Sequence, residues 1–344
     1  MATFYVCEPD VEGDGSGDSW ANAMSLAEWD AYMDASAAAG DIYYVEAGTY
    51  TLTGAVDFSG KPGTAVAPIT IIGVIEGTEA LGEAQEPPTY ARWSPIGSVD
   101  RPEFVQATNA ITFGAYYKVF NCIFSGAVNG DMVTYGTYCV NYNCKYTQAY
   151  AGSDKYCTRL STQGSAISCE YIANDGGSNF GGGIYGVGGN NRVLFCHFHD
   201  FRTGYGATAS NNVFAFNVFD NATMVGISCS TTGNTALNNT FYGTVRGIFG
   251  QGSARFVGIN NIMDTLTTGG FIWTTQNDSN FFLHNHDGNN VVDMWALVDE
   301  TNPPHMDNEE TTGDPKFTTA GSDFSLAADS PCIDAGKTIA LGVG

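Results

Sequence analysis

Apolar and polar residues alternate in short segments that recur along the middle of the chain. Each of seven segments carries an apolar residue, then a Cys or Asn two positions on, and an aromatic residue or Met two further. Side chains two apart on a strand share a face, so each segment is predicted to form a strand with one inward face. The central positions are Cys122, Cys144, Cys169, Cys196, Asn217, Asn239 and Asn261.

The spacing of these segments indicates a repeat architecture. Successive central positions lie 22, 25, 27, 21, 22 and 22 residues apart, too short for a helix pair with its turns. A repeat near 22 residues matches one coil of a parallel β-solenoid. Stacked coils place equivalent residues about 4.8 Å apart. The sequence therefore predicts a Cys/Asn ladder beside an aromatic ladder from Phe124 to Met263.

A second strand repeats in the later coils, 7 or 8 residues after the aromatic position, at Tyr205, Ile227, Ile248 and Phe271. The alternative, an ordinary β-sandwich, would make seven in-phase segments an accident of spacing. The predicted fold class is therefore all-β, a parallel β-helix with coils of about 22 residues. Parallel crossovers prefer the right-handed form, so the coil is expected to be right-handed.

The chain is expected to form a single domain over residues 1–344, because a solenoid grows without a second core. Residues 1–40 are predicted to hold a short strand and a helix that covers the first coil. Coils are predicted over 41–300, with a Pro-rich loop at 76–104, and a C-terminal cap over 301–344. The capping-box pattern Ser25-Leu-Ala-Glu28 marks the start of the helix.

The net charge of the chain limits the classes of partner that it is expected to bind. The chain has 36 acidic and 13 basic residues, a net charge of −23, which argues against nucleic acid and anionic membranes. It also disfavours polyuronates, which the whole molecule would repel. No apolar run is long enough to span a membrane. The first residues do not resemble a signal peptide, which favours synthesis in the cytoplasm. Four of the nine cysteines fall in the ladder, where they are expected to be free buried thiols.

Three stretches carry a family resemblance. They are Gly13-Asp-Gly-Ser-Gly-Asp-Ser-Trp-Ala-Asn-Ala23, the segment 40–50, and Asp314-Pro with Ser330-Pro-Cys-Ile-Asp-Ala-Gly336. Together they resemble right-handed parallel β-helix proteins of the pectate-lyase-like superfamily, over nearly the whole chain. The resemblance implies the fold. It leaves function open among polysaccharide lyases, hydrolases, bacterial surface proteins and phage virion proteins.

Two enzymatic alternatives follow. A lyase needs a basic Arg or Lys to abstract a proton, beside a calcium ion held by carboxylates. The coils offer Arg192, Arg202, Arg246 and Arg255 but show no column of carboxylates. A hydrolase needs two carboxylates within about 5 to 10 Å. Asp200 and Asp220 on adjacent coils are the weak candidates, and solvated turn aspartates are the simpler interpretation.

Metal-binding patterns are weak. The runs His197-Phe-His199-Asp200 and His284-Asn-His286-Asp287 each place two histidines on one side of a strand but supply too few ligands for a site. They are expected about four coils apart, so they cannot share an ion. The loop with Asp10, Glu12 and Asp14 imitates a calcium loop but lacks its twelfth-position Glu. The expectation is no cofactor, with Ca²⁺ as a minor alternative.

Two neighbouring coils carry insertions, and insertions of a solenoid often form its binding face. A sugar-contacting or protein-contacting lip is predicted from Tyr150, Asp154, Asn174, Asp175 and Phe180. A separate outward apolar stripe is predicted to be an interface, unless another part of the chain covers it. Its members are Phe195, Phe216, Val218 and Ile262.

No catalytic set of residues stands out, so the leading interpretation is a non-enzymatic structural protein of a virus particle. The expected role is a tailed-phage capsid decoration or tail-associated subunit that forms a homo-oligomer, with a trimer as the candidate form. Its expected partners are other virion proteins, with polysaccharide as a further candidate. The expected location is the virion, with an extracellular location as the alternative. The functional alternatives are a carbohydrate-active enzyme, either a polysaccharide lyase or a glycoside hydrolase, and a glycan-binding module.

Overall fold

The computed structural model describes residues 1–8, 14–75, 101–106, 110–126, 130–149, 155–173, 181–251, 255–274, 280–289, 295–297, 305–306 and 311–336. The chain winds into a right-handed parallel β-helix with three parallel sheets, A, B and C, which confirms the predicted fold. Each coil passes from A to B to C, and strands are numbered in chain order. We call one coil of the stack a rung.

Sheet A opens each coil, and it holds twelve strands within the described residues. The seven-segment pattern showed only the last residues of many of these strands. The strands are β1 (Thr3–Val6), β2 (Ile42–Glu46), β5 (Ile69–Val74), β8 (Tyr117–Phe120), β11 (Val140–Tyr142), β14 (Ser165–Ile167), β17 (Arg192–Leu194), β20 (Val213–Ala215), β23 (Asn234–Leu237), β26 (Phe256–Ile259), β29 (Phe281–Leu283) and β32 (His305–Met306).

Sheet B follows and counts eleven strands in the described part of the chain. It holds the aromatic ladder, whose paired rings from Phe124 to Phe241 stack 4.7–5.2 Å apart, as predicted. The strands are β3 (Gly48–Leu52), β6 (Pro102–Gln106), β9 (Ile123–Gly126), β12 (Lys145–Gln148), β15 (Glu170–Ala173), β18 (His197–His199), β21 (Val218–Asp220), β24 (Thr240–Tyr242), β27 (Ile262–Asp264), β30 (His286–Asp287) and β33 (Thr311–Thr312).

Sheet C closes the coil and has ten strands among the described residues. Tyr205, Ile227, Ile248 and Phe271 stand in register on its inner side, which confirms the predicted second strand. The strands are β4 (Val56–Phe58), β7 (Ile111–Phe113), β10 (Val133–Tyr135), β13 (Tyr156–Leu160), β16 (Gly182–Gly186), β19 (Thr203–Ala207), β22 (Val225–Cys229), β25 (Arg246–Gly250), β28 (Gly269–Trp273) and β31 (Trp295–Leu297).

The chain bends between sheets A and B where one continuous strand was predicted. The residue before each ladder position is in the left-handed region, with φ from 51° to 60° in the eight coils from Asn121 to His284. Asn occupies four of these eight positions, because its short polar side chain tolerates this conformation. The Cys/Asn ladder therefore lies in a turn, and it continues one coil further to Asn285.

Buried amides hold this turn together. Asn217, Asn239 and Asn261 each donate a side-chain N–H to the Oδ1 of the next Asn in the ladder, which ends at Asn285, at 2.9–3.0 Å. The same oxygens accept the backbone N–H of the preceding rung. A second ladder, from Asn191 through Asn212 to Asn234, lies at the start of the sheet A strands and was not predicted.

The first coil is covered by helix α1 (Leu26–Ala35), which a 3₁₀ turn (Trp20–Asn22) precedes. The predicted capping box is present, since Ser25 N donates to Glu28 Oε2 at 2.8 Å and Glu28 N donates to Ser25 Oγ. Trp29 and Met33 are buried, and Trp29 packs on rings of the first coils. The helix thus covers the end of the core.

The chain boundaries differ from the prediction in two places. Strand β6 begins at Pro102, inside the predicted loop 76–104, of which residues 76–100 lie outside the described residues. Parallel strands continue to Thr312, past the predicted end of the coils at residue 300. In the described part of the C-terminal region, a hairpin of β34 (Phe317–Thr319) and β35 (Asp323–Leu326) lies against the outer face of sheet B.

All nine cysteines are free thiols, and seven are buried. Burial raises the pKa of Cys139 and of Cys157 to about 12, and it raises the pKa of Cys122, Cys144 and Cys169 well above the usual range. A thiol-specific disulfide reagent is therefore expected to label only Cys7 and Cys332 in the native protein, and all nine thiols after denaturation. Mass spectrometry of the labelled peptides measures this, and rapid native labelling of Cys144 would contradict it.

Candidate functional site

A groove of about 240 Å³ crosses the outer face of sheet C over strands β13, β16, β19 and β22. Because the strands stack in register, residues far apart in sequence become neighbours along the groove. Its lining residues are Lys155, Tyr156, Gly181, Gly182, Tyr185, Arg202, Thr203, Gly206, Ala207, Thr208, Met224, Val225, Ser228, Ser230 and Gln251.

Glycines form the floor of the groove beneath Tyr156. A Cβ at Gly182 would overlap the Tyr156 ring, and a Cβ at Gly206 would lie 2.6 Å from the Tyr156 hydroxyl oxygen. The ring of Tyr156 therefore lies across two rungs where side chains are missing. This arrangement leaves a tyrosine in the wall of an open cleft.

A second tyrosine extends this aromatic surface. The rings of Tyr156 and Tyr185 stack with centroids 5.0 Å apart and planes inclined by 26°. The guanidinium of Arg159 lies 5.5 Å from the Tyr185 centroid, and it pairs with Asp131 at 3.3 Å. Arg159 thus connects the Tyr185 ring to Asp131. Tyrosine surfaces with polar neighbours suit the mixed apolar and polar faces of sugars.

The described lining of the groove is cationic, whereas the net charge of the chain is negative. This described lining contains two cationic side chains, Lys155 and Arg202, and no Asp or Glu. The whole chain has a net charge of −23. The expected repulsion of polyuronates therefore does not apply locally, because a groove presents its own lining charges to a ligand. Local charge, which only the fold assembles, favours an anionic ligand here.

The predicted binding lip adjoins this groove in sequence. Tyr150, Asp154, Asn174, Asp175 and Phe180 lie outside the described residues, so their role stays a prediction. The segments 150–154 and 174–180 end at Lys155 and Gly181, which line the groove. Of the four arginines named from sequence, Arg202 lines the groove and Arg246 lies further along sheet C, whereas Arg192 is on sheet A.

The two aspartates predicted for hydrolysis are not in the groove. They lie at the outer face of sheet B, where Asp220 Oδ2 is 2.7 Å from His197 Nε2 and Asp200 Oδ2 is 3.3 Å from His199 Nδ1. The Asp220 side chain is 5% exposed, and that of Asp200 is 56% exposed. The structure thus brings both aspartates to one histidine pair, whose rings stack at 4.8 Å.

This cluster extends to the two preceding rungs. His199 Nε2 lies 3.1 Å from Glu170 Oε1, and Lys145 Nζ lies 3.2 Å from Glu170 Oε2. Burial lowers the pKa of His197 and outweighs its hydrogen bond with Asp220. For His199 burial acts in the same direction, but the hydrogen bond with Glu170 and the carboxylate charges outweigh it and raise the pKa.

Glu170 completes an ion pair. Burial alone would raise its pKa, but His199 and Lys145 outweigh burial and lower the pKa of this carboxyl. A raised histidine pKa stabilises the fold fully below the unfolded histidine value, and a lowered glutamate pKa does so fully above the unfolded glutamate value. The Glu170–His199 pair is therefore fully effective between about pH 4.3 and about pH 6.5.

Glu170→Gln is expected to lower the pKa of His199, because the variant loses the negative charge that holds the proton. NMR titration of the imidazole protons measures the pKa. In unfolding experiments the destabilisation by Glu170→Gln is expected to be largest inside that pH window. Asp200→Asn is the control, with a smaller effect because Asp200 is mostly exposed. An unchanged His199 pKa in Glu170→Gln would contradict the assignment.

The C-terminal hairpin lies over part of this cluster. Phe324 meets the His197 ring edge-on at 6.2 Å, and Phe317 and Phe324 pack on Tyr242 at 6.1 and 5.4 Å. The edges of these aromatic rings cover the outer side of sheet B at these rungs. The histidine pair is therefore a largely enclosed polar network.

The predicted apolar stripe is divided between a turn and a sheet. Phe195 and Phe216 occupy left-handed turn positions and stack 5.0 Å apart, whereas Val218 and Ile262 lie on sheet B. All four are half-buried rather than exposed. Ile262 lines a small cavity with Cys332 and Ala335 of the C-terminal segment. Part of the stripe thus meets the same chain, and an interface role for it stays a prediction.

The weak metal candidates do not converge. His197 and His286 face the same column of sheet B four rungs apart, as expected from their spacing. His284 is in a turn rather than on a strand with His286, which contacts Gly313 O. Asp14 accepts a hydrogen bond from Ser16 N, while Asp10 and Glu12 lie outside the described residues. No group of three metal-ligating side chains occurs among the described residues.

Comparisons with known structures support the parallel β-helix fold of the chain. No family profile and no curated protein matches the sequence. The structure of pectate lyase Pel9A is similar over 99% of this chain and 93% of that chain, with 16% identity and a TM-score of 0.52. A mannuronic-acid-specific polysaccharide family 6 lyase from human gut microbiota has 12% identity and a TM-score of 0.47, over 91% of this chain and 81% of that chain.

A lacto-N-biosidase from Eubacterium ramulus shares 13% identity and a TM-score of 0.43, over 91% of this chain and 68% of that chain. At these identities the similarity shows the fold alone. The expectation of a non-enzymatic virion protein is nevertheless wrong by this result. The similar structures are polysaccharide lyases and a glycoside hydrolase, and nothing in the comparisons indicates a virion protein. No helix of the described chain is long and apolar enough to cross a membrane.

Proposed function

We propose that the protein is a carbohydrate-active enzyme that binds an acidic polysaccharide in the sheet C groove and cleaves it as a lyase. The observation that carries this proposal is the cationic lining, with Lys155 and Arg202 and no described carboxylate, in a protein of net charge −23. The pectate lyase fold supports the same class of substrate.

The chemistry follows from the groove. In β-elimination a base removes the proton from the carbon beside the uronate carboxylate, and a carbon–carbon double bond forms. The glycosidic C–O bond on the next carbon breaks, and the leaving oxygen takes up a proton. Lys155 and Arg202 bind the carboxylate and offset the charge that develops on it. Tyr156 is the groove's candidate for the proton transfers.

Two other mechanisms have less support. A glycoside hydrolase needs a pair of carboxyl groups at the scissile bond, and the described lining holds none. Asp200 and Asp220 lie on another sheet. The described lining does not fit a calcium site either, because it lacks the carboxylates that hold this ion.

The test is an assay of the purified chain on polygalacturonate and alginate, with neutral xylan as the control. The expected result is a rise in ultraviolet absorbance from the unsaturated product on an acidic polymer only. New reducing ends without this absorbance would indicate a hydrolase and overturn the lyase proposal. Binding without product would indicate a binding module, and no binding would refute the groove as a saccharide site.

Gly182→Ala is expected to weaken polysaccharide binding about tenfold, because a methyl group there displaces the Tyr156 ring from the floor. Isothermal titration calorimetry measures the affinity. Gly54→Ala is the matched control, since nothing lies within 4 Å of a Cβ at that glycine. Equal affinities of the two variants would exclude Tyr156 from the binding surface.

A further inference from the structure

The cations of sheet C recur on every second rung. Backbone hydrogen bonds join Lys155 to Gly182, Gly181 to Arg202 and Arg202 to Met224, so the four positions Lys155, Gly181, Arg202 and Met224 stand in one column on consecutive rungs. Within this column a cation alternates with an uncharged residue. Neighbouring rungs are about 4.8 Å apart, so Lys155 and Arg202 are about 10 Å apart along the axis.

Arg246 lies two rungs beyond Arg202, in the neighbouring column that contains Val225. It lies on β25, the rung after Val225 and Met224, and its guanidinium stands 5.0 Å above the Phe249 ring. Phe249 clusters with Val225 and Ile272, with Met224 packed against them, apart from the core. Between the cations, the rung of Gly181 presents Tyr185, and the next intermediate rung presents Met224 and Val225, whereas Phe249 lies on the rung of Arg246 itself.

This order of cations and uncharged residues matches a polyanion with a particular charge spacing. A pyranose unit in an extended chain is about as long as one rung spacing, so a chain along the axis places one sugar on each rung. Carboxylates then meet cations on alternate rungs, and the units between meet Tyr185 or the apolar cluster. A carboxylate on those rungs would lose water without gaining a partner.

The charge of the whole molecule favours the same ligand. A chain charged on every unit meets twice the repulsion from a protein of net charge −23 as a chain charged on alternate units. Both gain the same attraction from the cations on alternate rungs. The sum of this attraction and repulsion therefore favours binding of the polymer with the lower charge density.

We propose, resting on the proposed function, that the groove selects acidic polysaccharides whose negative charge recurs on every second sugar. The probes are hyaluronan and rhamnogalacturonan backbone, in which uronate and uncharged sugars alternate, against polygalacturonate and polymannuronate, in which every unit is charged. Neutral galactan is the control. At one fixed ionic strength an alternating polymer is expected to bind the full chain about tenfold more tightly than either homopolymer.

The double variant Arg202→Met/Met224→Arg moves one cation by a rung while net charge is kept. It is expected to lose the tenfold preference and to retain weak binding of all the acidic polymers. Lys118→Gln, on the exposed face of sheet A, is the control that keeps the preference. A circular dichroism spectrum confirms that each variant is folded.

The outcomes separate the two proposals. Equal or tighter binding of the homopolymers by the wild type, or an unchanged preference in the double variant, would overturn the selection for alternate charges. Either result would leave the acidic polysaccharide as substrate. Failure of every acidic polymer to bind would overturn the proposed function as well.

Discussion

Arg202→Gln is expected to lower kcat/KM on an acidic polysaccharide by about a hundredfold, the effect of removing one group that stabilises developing negative charge. Arg202 lies at the middle of the groove, between the rungs of Tyr185 and Met224. Glutamine retains much of the length of the arginine side chain and some of its hydrogen-bonding capacity, but not its charge. Initial rates from the ultraviolet absorbance of the product measure the change.

Arg192→Gln is the matched control. Arg192 is exposed on the outer face of sheet A and carries the same charge. Its replacement changes the net charge equally, so any long-range electrostatic effect is shared. A loss of less than threefold in Arg202→Gln, or an equal loss in both variants, would rule out the proposed role of Arg202 in catalysis.

Asn239→Leu is expected to lower the free energy of unfolding by about 4 kcal/mol, from several buried polar groups left without partners. Asn239 is fully buried, and its Oδ1 accepts hydrogen bonds from N and Nδ2 of Asn217. Its Nδ2 donates to Phe214 O and to Asn261 Oδ1. Urea denaturation followed by circular dichroism measures the change.

Asn238→Gly is the control in the same turn. Asn238 has φ of 53°, a conformation that glycine adopts readily, so this variant is expected to change the free energy of unfolding by less than about 1 kcal/mol. If Asn239→Leu proved as mild as the control, the amide ladder would not stabilise the turn. The result would then favour packing over hydrogen bonding as its source of stability.

The repeat was readable from sequence because the core of a solenoid obeys short-range rules. Aromatic residues such as Tyr146, Tyr171 and Phe198 recur at nearly constant spacing, and each stacks on its neighbour of the next coil. The capping helix was readable for the same reason, since Ser25 and Glu28 satisfy each other within one turn. In both elements, the residues that form the local sequence pattern are also the residues that make the stabilising contacts.

The bend between sheets A and B could not be predicted from the sequence in the same way. Alternation over five residues is the same for a straight strand and for two strands joined by one left-handed residue. The positions of Asn121 and Asn143 fit outward residues of a straight strand, although Asn also favours the left-handed region. Phe195 and Phe216 occupy equivalent positions, where bulky residues are rare, so residue type alone did not reveal the turn.

The residue pattern specifies the coil, its inner ladders and the covering of its first rung, because the interior requires one kind of residue at each repeat. The groove, in contrast, forms only when the coils stack. Lys155 and Arg202 are 47 residues apart in the sequence, and no motif between them indicates a shared site. Stacking of the coils brings the two residues to the same groove. Outer faces carry no packing constraint that repeats along the chain. For that reason the charge of the described groove lining differs in sign from the net charge of the chain.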